Sequence, residues 1–169
     1  MAHQKLELKL EAKDVAINLD NSRLAVLHGT SFSVLKYEAK SAVLTVDHIE
    51  ELPTSDYLVA RQICYLGDKL LVLMTDLLTN RAVIYNCTSQ QEALVSDGEN
   101  ILRLFPSLSH QSLNLITDHE VQKVETLAES GEHVQTTTVS AIPAMAPWTE
   151  VVHFDDQVSQ PRKYVTTSS

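Results

Sequence analysis

A short apolar core framed by turn residues recurs at a nearly constant interval along this chain. Its middle strands begin at Leu24, Leu70 and Leu113, 46 and 43 residues apart. Roughly 40–45 residues is the interval of a four-stranded propeller blade. Such a unit cannot bury both of its faces alone, so it stacks radially against its neighbours. This spacing constrains the fold more than any other feature of the sequence.

The local signals agree with it. Asp14-Val15-Ala16-Ile17-Asn18-Leu19 alternates apolar and polar residues, as a half-buried strand does. Asp20-Asn21-Ser22 follows, three residues whose side chains bond the nearby backbone and so favour a turn. Arg23 to His28 and Ser31 to Tyr37 read as the next two strands, with His28-Gly29-Thr30 turning the chain between them. Tight connections of this kind make an antiparallel meander. The same order returns at Leu58 to Leu66, Lys69 to Thr75 and Arg81 to Asn86, with Gly67-Asp68 as a turn. It returns again at Asn100 to Phe105, Ser112 to Thr117 and Glu120 to Glu125. Ala128 to Thr138 is polar and reads as a loop. The prolines of Ile142 to Trp148 cannot donate to a central ladder. Thr149 to Phe154 fits the first strand of a further blade.

The expected fold is therefore all-β: a partial propeller of about three to four antiparallel meanders over residues 1–157, with a polar tail over 158–169. Regular strand spacing also fits a two-sheet sandwich, and the blade-length recurrence decides for the propeller. The nearest candidate for a helix, Glu51 to Ile63, carries Pro53 and several β-branched residues.

Composition narrows the function. Hydrophobic residues make up 44% of the chain and charged residues 21%, which is ordinary for a globular protein and excludes a disordered one. No apolar run reaches the ~20 residues that a membrane helix needs. The Met1 to Lys13 segment alternates Lys and Glu with Leu and lacks the apolar centre of a secretory signal, which points to the cytoplasm or nucleus. The net charge is -9 with only 13 Lys and Arg, so direct nucleic-acid binding by this segment is not expected.

Chemistry-bearing patterns are few. Cys64 and Cys87 read as reduced, buried thiols, and two isolated cysteines cannot build a zinc ribbon. Asn86-Cys87-Thr88 matches the glycosylation triplet, by chance in a chain with no secretory signal. The seven histidines show no helical metal spacing; His28, His110 and His119 fall at turns. Four glycines, Gly29, Gly67, Gly98 and Gly131, sit in turns and form no phosphate-cradling loop. The carboxylate pairs Glu50-Glu51 and Asp155-Asp156 read as solvated. No catalytic, cofactor-binding or metal residue is assigned, and no cofactor is expected. Phe32, Tyr37, Tyr85 and Phe105 fall on strand runs and are expected in the core. Trp148, after two prolines, is the candidate anchor for a partner protein.

The segment DVAINLDNSRLAVLHGTSFSVLKY, Asp14 to Tyr37, resembles a blade of the largest, scaffold subunit of the Elongator complex, also called the IkappaB kinase complex-associated protein family. YLGDKLLVLMTD with RAVIYNCT, over Tyr65 to Thr88, extends the resemblance. So do SLNLITDHEVQKVE at Ser112 to Glu125 and the Pro-Trp stretch before Val151. It runs over Asp14 to Asp156 and is similar to part of the second WD40-like propeller of that family. The resemblance implies a non-catalytic scaffold in a complex that modifies wobble uridines in transfer RNA. Its partners would be other protein subunits, with neither nucleic acid nor membrane bound directly. The radical and acetyl-transfer chemistry of that complex belongs to another subunit, so no catalytic residue carries over. Two other readings stand beside it: a different propeller interaction module, such as a coat or trafficking adaptor, and an enzyme or ligand binder with a site assembled in space.

Overall fold

A computed structural model describes residues 11–97, 101–117, 120–126 and 135–141. Trp148, the Thr149 to Phe154 segment and the 158–169 tail lie outside them.

The described residues form three antiparallel sheets of four strands, each a simple meander. The first holds β1 (Asp14–Ile17), β2 (Arg23–Leu27), β3 (Ser31–Glu38) and β4 (Val43–Glu51). The second holds β5 (Leu58–Leu66), β6 (Lys69–Asp76), β7 (Arg81–Asn86) and β8 (Gln91–Asp97). The third holds β9 (Ile101–Pro106), β10 (Leu113–Thr117), β11 (Glu120–Thr126) and β12 (Gln135–Ala141).

The turns follow from short polar side chains. Asn18 Oδ1 accepts from Arg23 N–H at 2.9 Å and Asp20 Oδ1 from Ser22 N–H at 2.9 Å, which fixes the β1–β2 hairpin. One loop design is used twice in the second sheet. Asp76 Oδ1 accepts from Leu78 and Thr79 N–H before Asn80 turns at φ 55°. Asn86 Oδ1 accepts from Thr88 and Ser89 N–H before Gln90 turns at φ 55°. Asn86 of the Asn86-Cys87-Thr88 triplet is thus a turn-capping residue. Gly67 takes φ 59° in the two-residue turn between β5 and β6, where a side chain would be strained.

Strand β6 decides between the propeller and the sandwich. In a sandwich each strand alternates buried and solvated residues. Leu70 through Met74 are instead all buried. Leu70, Val72 and Met74 pack with Ala25, Leu27, Phe32 and Val34 of the first sheet. Leu71 and Leu73 point the other way and pack with Leu104, Leu113, Leu115 and Val124 of the third. The second sheet is therefore a slab between two neighbours, as a propeller blade is. The LLVLM run is continuous because both of its faces are covered.

Several sequence expectations need correction. Each blade has a fourth strand that the recurring three-strand pattern does not include. Strand β4 is almost entirely exposed, so it carries no apolar alternation to reveal it. The loop expected over Ala128 to Thr138 does not include Gln135 to Thr138, which belong to β12 and pair with β11. Glu51 to Ile63 divides between the end of β4 and the start of β5, with Pro53 between them. Phe32 is buried as expected, but Tyr37 is 43% exposed, and Tyr85 and Phe105 are only partly buried.

Candidate functional site

The first strand of each blade is the innermost: β1 lies against β5, and β5 against β9. An inner strand has a ladder partner on one side only. Its other edge presents backbone N–H and C=O groups that need partners. Two side chains supply them. Asp14 Oδ2 accepts from Ile63 N–H at 2.9 Å. Gln62 Nε2 donates to the Leu104 carbonyl at 2.6 Å, and Gln62 Oε1 accepts from Leu104 N–H at 2.8 Å. The first and second blades thus each cap the inner edge of the next one with a polar side chain. Sequence reasoning missed both residues. The available signal was Gln62 itself, a polar residue on the face of β5 that also buries Cys64.

A cavity of about 310 Å³ opens among the three inner strands, lined among others by Val15, Ile17, Gln62, Cys64, Arg103 and His110. Arg103 is exposed and gives this space a positive group. His110 sits in the β9–β10 turn at φ 55°, with Nδ1 buried and without a hydrogen-bond partner among the described residues. A second groove, of about 260 Å³, lies on the seam between the first two blades, beside Arg23, His48, Glu50, Tyr65, Asp68 and Cys87.

Neither space gathers an evident catalytic set. Burial, with Asp14 and then Cys87 adding to it, pushes the Cys64 thiol up to about 12. Burial and then Glu50 do the same to Cys87, also to about 12. Both are buried and reduced, as the sequence predicts, and both stay protonated near neutrality, where a nucleophile or metal ligand must be thiolate. His28 is held by the Ser33 hydroxyl at 2.8 Å and the Glu11 carbonyl at 3.2 Å. His48 contacts Asp47 at 3.0 Å on the surface. Among the described residues, no group of three His, Cys, Asp or Glu is placed to hold a metal. His119 lies outside them, as does Trp148.

No family model matches this chain, and no curated protein does. Solved structures do. The chain is similar to AztD from Citrobacter koseri in its apo form, at TM-score 0.55 and 12% identity, covering 81% of this chain and 37% of that one. It is similar to Kluyveromyces lactis Hsv2 with a complete loop 6CD, at TM-score 0.51 and 16% identity, covering 75% of this chain and 36% of that one. Both are propeller proteins, so the fold is a partial β-propeller. The chain spans little more than a third of the length of either.

Proposed function

We propose that this chain is a non-catalytic scaffold segment whose stacked blades hold surfaces in place for other protein subunits. The observation that carries this reading is the slab-like second blade, covered on both faces and tied to its neighbours through Asp14 and Gln62. That construction fixes the relative positions of three sheets and leaves their outer strands to meet partners. Strand β4, exposed along almost all of its length, is such a surface.

The finer assignment is to the Elongator scaffold, and it rests on the strand and turn patterns of Asp14 to Tyr37, Tyr65 to Thr88 and Ser112 to Glu125. In this role the segment supports wobble-uridine modification from the cytoplasm, with the nucleus as a second location. Other subunits contact the transfer RNA, since a net charge of -9 opposes binding to phosphate here. The test is to purify the tagged chain from its own cells, identify its partners, and measure wobble-uridine modification after the gene is deleted. Elongator subunits in the purified sample and a loss of modification are expected. Coat or trafficking subunits, with modification intact, would overturn the assignment.

A further inference from the structure

The groove on the seam between the first two blades has an aromatic floor and an acidic rim. Phe32 and Tyr65 lie in its floor with Leu70, all three buried in the cluster that joins the two sheets. Tyr65 is only 2% exposed, and its hydroxyl is the informative group. Burial pushes the phenol up, Arg23 draws it down, and Cys87, Asp47 and Asp68 raise it further; no hydrogen bond takes part. Among the described residues, the one buried side-chain nitrogen or oxygen without a partner is His110 Nδ1. The Tyr65 hydroxyl is therefore unpartnered but not sealed. Arg23, Cys87 and Asp68, the groups that it feels, line this groove. A buried phenol ordinarily has a hydrogen-bond partner, and here the groove is where that partner fits.

The rim sets the partner's charge. Glu50 and Asp68 are exposed there, and among the described residues neither pairs with a lysine or an arginine. Glu50 meets His48 Nε2 at 3.9 Å, longer than a hydrogen bond. Asp47 stands beside them, 3.0 Å from His48 Nδ1. Arg23 is the opposing charge among the described lining residues. The excess is acidic, as is the whole chain at -9, so the local field draws a cation.

A guanidinium fits these groups better than an ammonium. Two carboxylates and a phenol oxygen are acceptors around an aromatic floor. A guanidinium has five donors in one plane, stacks on aromatic faces and is weakly hydrated, so it enters a seam walled by Phe32, Val34 and Leu70 at less cost. The space, about 260 Å³, is smaller than the ~300–1,000 Å³ of sites that enclose a whole small ligand, and suits a single side chain. We propose that this seam binds a guanidinium group, carried by an arginine side chain of a partner protein, with Glu50, Asp68 and the Tyr65 hydroxyl as its acceptors. The inference rests on the scaffold reading for the source of the arginine, and names the chemistry of one partner contact.

The test titrates the full chain with the peptide Gly-Arg-Gly, blocked at both ends. Binding is followed by NMR through the backbone amides of Asp68 and Thr88, with Leu78 in the β6–β7 turn as the control. Peptides with lysine or citrulline at the centre, and methylguanidinium alone, are compared; citrulline is the uncharged isostere of arginine. Saturable shifts at Asp68 and Thr88 are expected with arginine, weaker binding with lysine, and binding at least about tenfold weaker with citrulline. Tyr65→Phe, which keeps the ring, and Glu50→Gln, at an exposed residue, should each weaken the arginine peptide roughly three- to tenfold. Arg23→Gln should tighten it. No saturable shift, equal affinity for citrulline, or binding untouched by both Tyr65→Phe and Glu50→Gln would overturn the proposal. Methylguanidinium binding as tightly as the peptide would overturn the partner's arginine as the occupant in favour of a free small guanidine. Failure of the scaffold reading shows separately: no partner subunits come with the chain from its own cells, while the peptide still binds.

Discussion

The Gln62 carboxamide closes on Leu104 from both ends, donating to its carbonyl at 2.6 Å and accepting from its N–H at 2.8 Å, across 42 residues of chain. It does for the inner edge of the third blade what another strand would do for a ladder.

Gln62→Ala should therefore cost more than a typical surface change. It leaves two partly buried backbone groups unpaired, at about 1–3 kcal/mol. For a chain of this size that lowers Tm by about 2–4 °C per kcal/mol. Gln62→Glu keeps the acceptor but sets a carboxylate oxygen against the Leu104 carbonyl, so it should not rescue. Thermal melts of the three proteins check both points, and an unchanged Tm for Gln62→Ala would count against the bridge.

Strand β6 supplies a test of stacking. Leu73 and Met74 are adjacent and buried on opposite faces, against the third and first blades. Leu73→Ala and Met74→Ala should each cost about 2–5 kcal/mol in denaturant unfolding. Ile49→Ala, at a residue 56% exposed, should stay within about 0.5 kcal/mol of wild type. A large loss for only one of the two β6 variants would mean that one face of this sheet is solvated.

The thiols give a chemical test. Held up near 12 by burial, Cys64 and Cys87 are protonated and covered in the folded chain. Neither should react with iodoacetamide at pH 8 until denaturant is added, when both should react. The sign of the linkage follows. Their folded values lie above the ordinary 9.0, so the stability they contribute is full below about pH 9 and is lost as the pH rises toward 12.

At the acid end the turn aspartates matter. Hydrogen bonds from Ser22 hold the Asp20 carboxyl below its ordinary 3.8, and those from Leu78 and Thr79 do the same for Asp76. A lowered folded value means that stability is present above 3.8 and lost as the pH falls through the lower folded values. Asp76→Asn keeps the turn acceptor without the titration. Its melting temperature should fall less steeply than that of wild type below pH 4, and identical acid limbs would show that this turn does not contribute.

The recurrence at Leu24, Leu70 and Leu113 carried the fold, because stacked blades need apolar middle strands at blade-length intervals. The strands that stack, β2, β3, β6 and β10, were legible for that reason. The outer strands were not. β4 lies in solvent along nearly its whole length, and a strand without a buried face writes no alternation into its residues. Tyr37 misled for a related cause: it continues the apolar run of β3 past the point where that strand leaves the core. The inner-edge caps were hidden because Asp14 and Gln62 act on backbone groups about 40 to 50 residues away, and backbone partners leave no side-chain signature. The Elongator resemblance reaches only patterns of strand and turn, and the structural neighbours support the propeller beneath it.

Amide hydrogen exchange, followed residue by residue in the purified chain, tests the stacked, edge-capped blades most directly. The account predicts slow exchange at Ile63 and Leu104 and fast exchange at Val15, although all three lie on edge strands. Asp14→Ala should release Ile63 alone, and Gln62→Ala should release Leu104 alone. Exchange at Ile63 and Leu104 as fast as at Val15 in the wild-type chain would contradict the capped, stacked arrangement.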